Sequence, residues 1–258
     1  MSADTSHEHN YTVLARIYDE VMEDVDYETW ADYIDDIILE HNPESVDILE
    51  LACGTGTVAL TLEELDCYNI VATDGSAEMI RVAQEKADRL QSEVQFEAMN
   101  FLDLRLTQKF DVVFMVFDSL NYLHTEEEIL ELHRQVRSVL KPDGIFIYDF
   151  TTPRNSRKAI HFLNNEKRIV DRHYRYQRTS EYDEEEHIHT NRFKIEQTDP
   201  HTDKVLRTFQ EEHRQKIYTP REIETMIKKT DFKILTAYDG FELKPAHPRS
   251  LRITMVLK

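Results

Sequence analysis

The stretch VDILELACGTGTVAL, residues 46–60, holds the residues whose types and spacing best suit binding chemistry. Gly54 and Gly56 are two of only five glycines in 258 residues, and they follow directly on an apolar, strand-like run. Glycine takes positive φ freely and lets another group approach the backbone, so a turn built this way suits a ligand. Gly54-x-Gly56-x-x-Ala59 satisfies the dinucleotide fingerprint, and Asp74, closing the next strand-like run, is placed to accept hydrogen bonds from ribose hydroxyls.

Glu50, four positions before Gly54, decides which ligand suits the turn. A pyrophosphate docked on a helix N-terminus is negative, and a carboxylate beside it would repel it. A ligand bearing an ammonium group would be attracted instead. The adenosine cofactor that joins a ribose to an amino-acid ammonium and a sulfonium is S-adenosylmethionine, and the charge argument selects it. The fingerprint alone also fits an NAD(P)-dependent oxidoreductase, which Glu50 disfavours. A non-catalytic S-adenosylmethionine-binding protein is a third reading.

These residues need elements to position them. Residues 11–40 read as helical segments, with Val13, Leu14, Ile17, Tyr18, Val21 and Met22 at helical spacing. Strands are expected at 46–51, 69–74, 94–99, 110–117 and 144–150, with helices near 57–66, 76–90 and 125–140 between them. Ser76 and Thr125 fit as N-caps, and Thr125 with Glu128 forms a capping box. KPDG (141–144) reads as a turn. This alternation predicts an α/β fold with a doubly wound, Rossmann-like, mainly parallel sheet. After Pro153 the pattern changes to period-2 alternation without long helices, predicting an inserted small antiparallel β domain. Thr219 and Pro220 then open a helix, and two final strands are expected to rejoin the first sheet. The expected organisation is a core of 1–152 plus 219–258, interrupted by a β lid of 153–218.

Composition narrows the function classes. A formal charge of −19 opposes nucleic-acid binding, and no apolar run is long enough to cross a membrane. Residues 154–218 carry a net +2 and six of the twelve histidines, against −21 for the remainder, which marks them as a separate unit. The polar, acidic MSADTSHEHN is neither a signal nor a transit peptide, and two cysteines offer no disulfide framework, so a cytoplasmic location is expected. Composition leaves the oligomeric state open.

LELACGTG, ATDGSAEMI, FDVVFMVFDSLNYL, LKPDGIFIYDF and EEHRQKIYTPREIETMI together resemble the class I S-adenosylmethionine-dependent methyltransferases. More narrowly they resemble a two-domain bacterial branch with a small β lid inserted after the fifth strand. The resemblance implies that Gly54 and Gly56 underlie the methionine part of the cofactor, with Glu50 beside them and Asp74 on the ribose. Asn100 and Phe101 would meet the adenine. Gly75, Met79 and Phe117 would border the cofactor, and Tyr18, with Tyr11, could cover it. Ala52 stands where many members have glycine, and Asn100 where many have aspartate.

On the acceptor side the resemblance places Asp118, Asn121, Arg214 and Tyr218, with Tyr122 and His213 as candidate catalytic groups beside His124. Methyl transfer from a sulfonium is an in-line displacement whose donor is already activated, so alignment in a dry site is the protein's main contribution. A base is needed only where the acceptor must lose a proton. The expected acceptor is a small molecule and the expected product S-adenosylhomocysteine. His187 and His189 are spaced as a metal pair but lack a third ligand, so no metal is expected and both read as solvated.

Overall fold

The computed structural model describes residues 11–258. The N-terminal decapeptide, read above as neither signal nor transit peptide, lies outside the described residues.

Apolar residues on alternate positions of the central strands pack against two different helical layers. In β1 (Asp47–Leu51), Ile48 faces one layer while Leu49 and Leu51 face the other. In β4 (Phe110–Met115), Val112 and Phe114 are separated from Phe110, Val113 and Met115 in the same way. Strands buried on both faces are the mark of a parallel sheet covered by crossover helices. One layer contains α2 (Tyr27–His41), α3 (Thr57–Glu63) and α4 (Ala77–Leu90); the other contains α5 (Glu126–Val139) and α7 (Pro220–Ile227). The short α1 spans Tyr18–Val21.

The main sheet has eight strands. With β2 (Asn69–Asp74), β3 (Gln95–Ala98), β5 (Leu140–Thr151), β10 (Ile234–Asp239), β11 (Glu242–Pro245) and β12 (Arg252–Leu257), its order is β11-β10-β12-β5-β4-β1-β2-β3. Strands β1 to β5 run parallel, and β12, β10 and β11 add antiparallel pairings. The chain order reverses between β1 and β4, and ligands bind such sheets in the crevice beyond the strand ends at that point. The glycine turn leaves β1 there.

A separate antiparallel sheet of four strands is ordered β6 (Glu166–Ile169), β7 (Tyr174–Asp183), β8 (Ile188–Thr198), β9 (Val205–Lys216). Tyr176, Phe193 and Ile195 of this sheet form an apolar cluster with Leu14, Ile17 and Val21, so the N-terminal segment packs on it.

Three local readings are corrected. Residues 153–163 form a helix, α6 (Pro153–Leu163), capped by Thr152 with Pro153 in its first turn, where no helix was expected. KPDG does not separate a helix from a strand. It is an irregularity within β5, where Phe110 pairs with Leu140 and Val112 with Ile145. Strand β11 was not anticipated.

His133 of α5 is a pH-sensitive point in this core. Its ring lies 5.6–5.7 Å from those of Phe146, Tyr148 and Phe232, and its Nδ1 donates to Ile129 O at 2.7 Å. Burial pushes its pKa down to about 4. The unfolded chain protonates this histidine below its ordinary value near 6.5 while the folded chain does not, so its contribution is complete above that pH and is lost as pH falls toward 4. The stability difference between the parent and His133→Leu should therefore shrink by about 3 kcal/mol from pH 7 to pH 4 in denaturant titrations.

Candidate active site

The turn after β1 is held in left-handed backbone. Ala52, Gly54 and Gly56 have φ of 54°, 56° and 76°. A Cβ on Gly56 would lie 2.4 Å from the Phe96 ring, so glycine is required there for space as well as conformation. At Ala52 the usual glycine of the resembling family is explained by φ, not by side-chain size. An L-residue in that region costs ~1–2 kcal/mol, and glycine's extra entropy cost recovers only ~0.5–1 kcal/mol of this. Ala52→Gly should thus stabilise the protein by about 0.5–1 kcal/mol, read as a higher melting temperature.

Asp74 ties this turn to the loop after β2. Its Oδ2 accepts from the Gly54 N–H at 2.9 Å and its Oδ1 from the Ser76 N–H at 2.8 Å. Each oxygen keeps a further lone pair for a ligand hydroxyl. Glu50 is 2% exposed, and its Oε2 has no partner among the described residues. Burial, reinforced by the charge of Asp74, holds its carboxyl well above the usual range. A buried carboxyl at the glycine turn with one oxygen unpartnered would be held in its charged form by a cationic donor, which the ammonium of S-adenosylmethionine supplies; the residues present fit that group.

The other cofactor-side positions differ in placement. Tyr18 lies over the turn, its Cε1 3.8 Å from where a Gly54 Cβ would stand. Gly75 is exposed with open space around it, and Met79 is buried in the first turn of α4. Asn100 is exposed and its Oδ1 accepts from the Leu102 N–H at 2.8 Å, so the amide oxygen expected to meet the adenine already stabilises its own loop. Phe101 is half-buried against the core. Phe117 turns toward α2, 4.4 Å from Trp30 between ring centroids. Phe117 and Asp118 are consecutive residues with φ near 60°, a strained turn of the kind that clusters at functional sites.

A cavity of about 180 Å³ opens between the four-stranded sheet, α6, the N-terminal segment and the loop after β4. From its wall a chain of polar groups runs back through four residues, of which Tyr11, Tyr122 and His213 line the cavity. Tyr11 and Tyr122 hydroxyls are 2.6 Å apart, Tyr122 Oη is 3.2 Å from His213 Nδ1, and His213 Nε2 is 3.7 Å from Glu211 Oε2. The last separation is an ion-pair distance, not a hydrogen bond. The carboxylate favours the proton on Nε2, leaving Nδ1 to accept from Tyr122 and Tyr122 to accept from Tyr11. Burial pushes the Tyr122 hydroxyl above its usual pKa, so it stays a neutral phenol. Glu211 also accepts from the backbone N–H groups of Tyr11, Val13 and Leu14 at 2.8–2.9 Å. Burial works to raise its carboxyl, but His213 and the Leu14 and Val13 N–H groups outweigh this and hold it below the usual value.

The structure brings Tyr122, His213 and Asp118 to this cavity but not Arg214 or Tyr218. Arg214 follows His213 on β9 and, because strand side chains alternate, is exposed on the opposite face. Tyr218 is buried in the main core, its hydroxyl donating to Leu123 O at 2.8 Å. Asn121 is fully buried, its Nδ2 donating to Lys216 O at 2.7 Å and its Oδ1 accepting from the Thr151 N–H at 3.1 Å. It therefore fastens the end of β9 to the end of β5. Asp118 is ion-paired with Arg252, which also bridges to the buried Asp149. His189 is not solvated: it is 4% exposed, lines the cavity and bonds Ser180 Oγ at 2.7 Å. Glu211 went unnoticed in the sequence. Its position two residues before His213, on the same strand face, was the available signal.

Comparisons with known proteins agree with this geometry. Residues 48–144 match the family described as Methyltransferase domain. The Bacillus subtilis protein YqeM, named provisionally as a methyltransferase, is 29% identical over 87% of this chain and 87% of its own length. A crystal structure of an S-adenosylmethionine-dependent methyltransferase from Clostridium acetobutylicum superposes with a TM-score of 0.77 at 27% identity, covering 96% of this chain and 98% of that one. The sugar N-methyltransferase KedS8 from Streptoalloteichus shares the fold, with a TM-score of 0.71 at 17% identity over 95% and 92% of the two chains. These findings side with methyl transfer over hydride transfer. Its fold, its glycine turn and these likenesses make the chain a class I S-adenosylmethionine-dependent methyltransferase, an enzyme that takes S-adenosylmethionine as its cofactor.

Proposed function

We propose that this methyltransferase acts on a small-molecule acceptor held in the cavity beneath the four-stranded sheet. The observation that carries the reading is the run Tyr11, Tyr122, His213, Glu211, oriented to draw a proton out of that cavity. Residues 1–152 and 219–258 would form the cofactor-binding core and 153–218 the lid on the acceptor side. Glu50 would hold the cofactor's ammonium, Asp74 its ribose hydroxyls, and the Gly54–Gly56 turn its methionine backbone. When bound, S-adenosylmethionine supplies an electrophilic methyl group on a sulfonium.

The chain's own residues then position and deprotonate. An acceptor oxygen or nitrogen would take up that methyl group through its lone pair, the carbon–sulfur electron pair staying with the departing sulfur, and would then have to shed a proton. The proton shed by the acceptor passes to the Tyr11 oxygen, the Tyr11 proton to Tyr122, and the Tyr122 proton to His213 Nδ1. Glu211 stabilises the imidazolium so formed. Tyr11 and Tyr18 would exclude water from the transfer.

The sugar acceptor of KedS8 supports a small molecule, as does a cavity smaller than the roughly 300–1,000 Å³ of drug-sized ligand sites. Two free cysteines, Cys53 and Cys67, support a reducing, cytoplasmic setting. The test is to supply methyl-labelled S-adenosylmethionine with a cell extract separated into metabolite and macromolecule fractions. Label entering the metabolite fraction is expected; label entering protein alone would overturn the small-molecule reading.

A further inference from the structure

Five cavity-lining residues carry buried side-chain atoms without a hydrogen-bond partner among the described residues. Two of them, Asp118 Oδ1 and His213 Nε2, lie at ion-pair distance from Arg252 and Glu211, which leaves Ser156 Oγ, Arg178 Nε and Asn191 Oδ1. They come from three elements, α6, β7 and β8. Asn191 is paired in register with His213 on one side and Ser180 on the other, which puts it beside the proton-accepting histidine. Buried polar atoms without partners cost stability, and three on residues that line one cavity point to a ligand that completes them.

Their chemistry is specific. Arg178 Nε only donates, Asn191 Oδ1 only accepts, and Ser156 Oγ does either. The charged groups of the wall already have counter-charges: Arg178 with Glu166 and Asp118 with Arg252. A ligand carrying a net charge would therefore be desolvated without a counter-charge. Hydroxyl groups both donate and accept, so several on one uncharged skeleton satisfy all three atoms.

Resting on the methyltransferase reading above, we propose that Ser156, Arg178 and Asn191 form the subsite that selects the acceptor, and that the acceptor is an uncharged, polyhydroxylated small molecule. One of its hydroxyls, or an attached neutral amine, is thereby held beside the Tyr11–Tyr122–His213 chain.

The full-length protein is saturated with S-adenosylhomocysteine and probed by saturation-transfer NMR with methyl α-glucopyranoside, myo-inositol, gluconate and glucosamine. The neutral polyols should bind, and gluconate and glucosamine should bind at least about tenfold more weakly. Asn191→Leu and Ser156→Ala should each weaken polyol binding by about tenfold. Ser156→Ala should melt no lower than the parent, because it removes a hydroxyl that has no hydrogen-bond partner among the described residues; a purely structural serine would show the opposite. Failure of both neutral polyols to bind at any concentration up to their solubility, equal or tighter binding of a charged probe, or polyol binding indifferent to both variants would each overturn the proposal. Failure to bind S-adenosylhomocysteine would instead strike the cofactor reading.

Discussion

Asp74→Ala is expected to weaken S-adenosylhomocysteine binding by about 100-fold or more, measured by calorimetric titration. Two effects combine. The substitution removes the acceptor for ribose hydroxyls, and it leaves the Gly54 and Ser76 N–H groups without the oxygens that hold the two cofactor loops together. Truncating a buried partner of this kind costs about 2–5 kcal/mol, and each 1.4 kcal/mol is roughly tenfold in affinity. Asp74→Asn should fall between the parent and the alanine variant. Its single oxygen can serve only one of the two N–H groups, while its amide nitrogen must face the other. Retention of parental affinity in Asp74→Ala would show that the ribose lies elsewhere.

His213→Ala is expected to lower kcat by about 100- to 10,000-fold, the usual span for removing a positioned acid–base group. S-adenosylhomocysteine affinity should change little, because the residue lies on β9 of the four-stranded sheet whereas the glycine turn follows β1 of the main sheet. Tyr122→Phe should act in the same direction by breaking the path between Tyr11 and His213. The readout is turnover with the acceptor found by the labelling experiment, with kcat and KM determined separately. A kcat unchanged in His213→Ala would mean that the acceptor reacts through an already neutral lone pair and sheds its proton to solvent.

The parts of this molecule visible in the sequence are those fixed by local pattern. The alternation from β1 to β5 was legible because strands buried on both faces must be continuously apolar, and because Ser76, Thr125 and Thr219 mark helix starts by their cap chemistry. The glycine turn was legible because positive φ restricts residue choice, although Ala52 shows that the restriction can be overridden. Helix α6 was missed despite Thr152 and Pro153 being a readable start, because the basic, polar residues that follow gave no apolar stripe. The same helix contributes Asn155, Ser156, Ala159 and Leu163 to the cavity, so missing it hid that part of the lining.

Long-range partners were less legible. Glu211 contacts backbone some 200 positions away, and no local rule couples those segments. Arg214 and Tyr218 share a motif with His213, yet strand alternation sends the first outward, and the second belongs to the core beyond the end of β9. Proximity in sequence identified the right strand but not the right face.

The most direct test of the whole account is a crystal structure with S-adenosylhomocysteine bound. The account predicts the ammonium beside Glu50, the ribose hydroxyls on Asp74, and the sulfur opening onto the cavity lined by Tyr11, Tyr122 and His213. A sulfur atom closed off from that cavity would contradict it, because the methyl group could not then reach an acceptor beneath the four-stranded sheet.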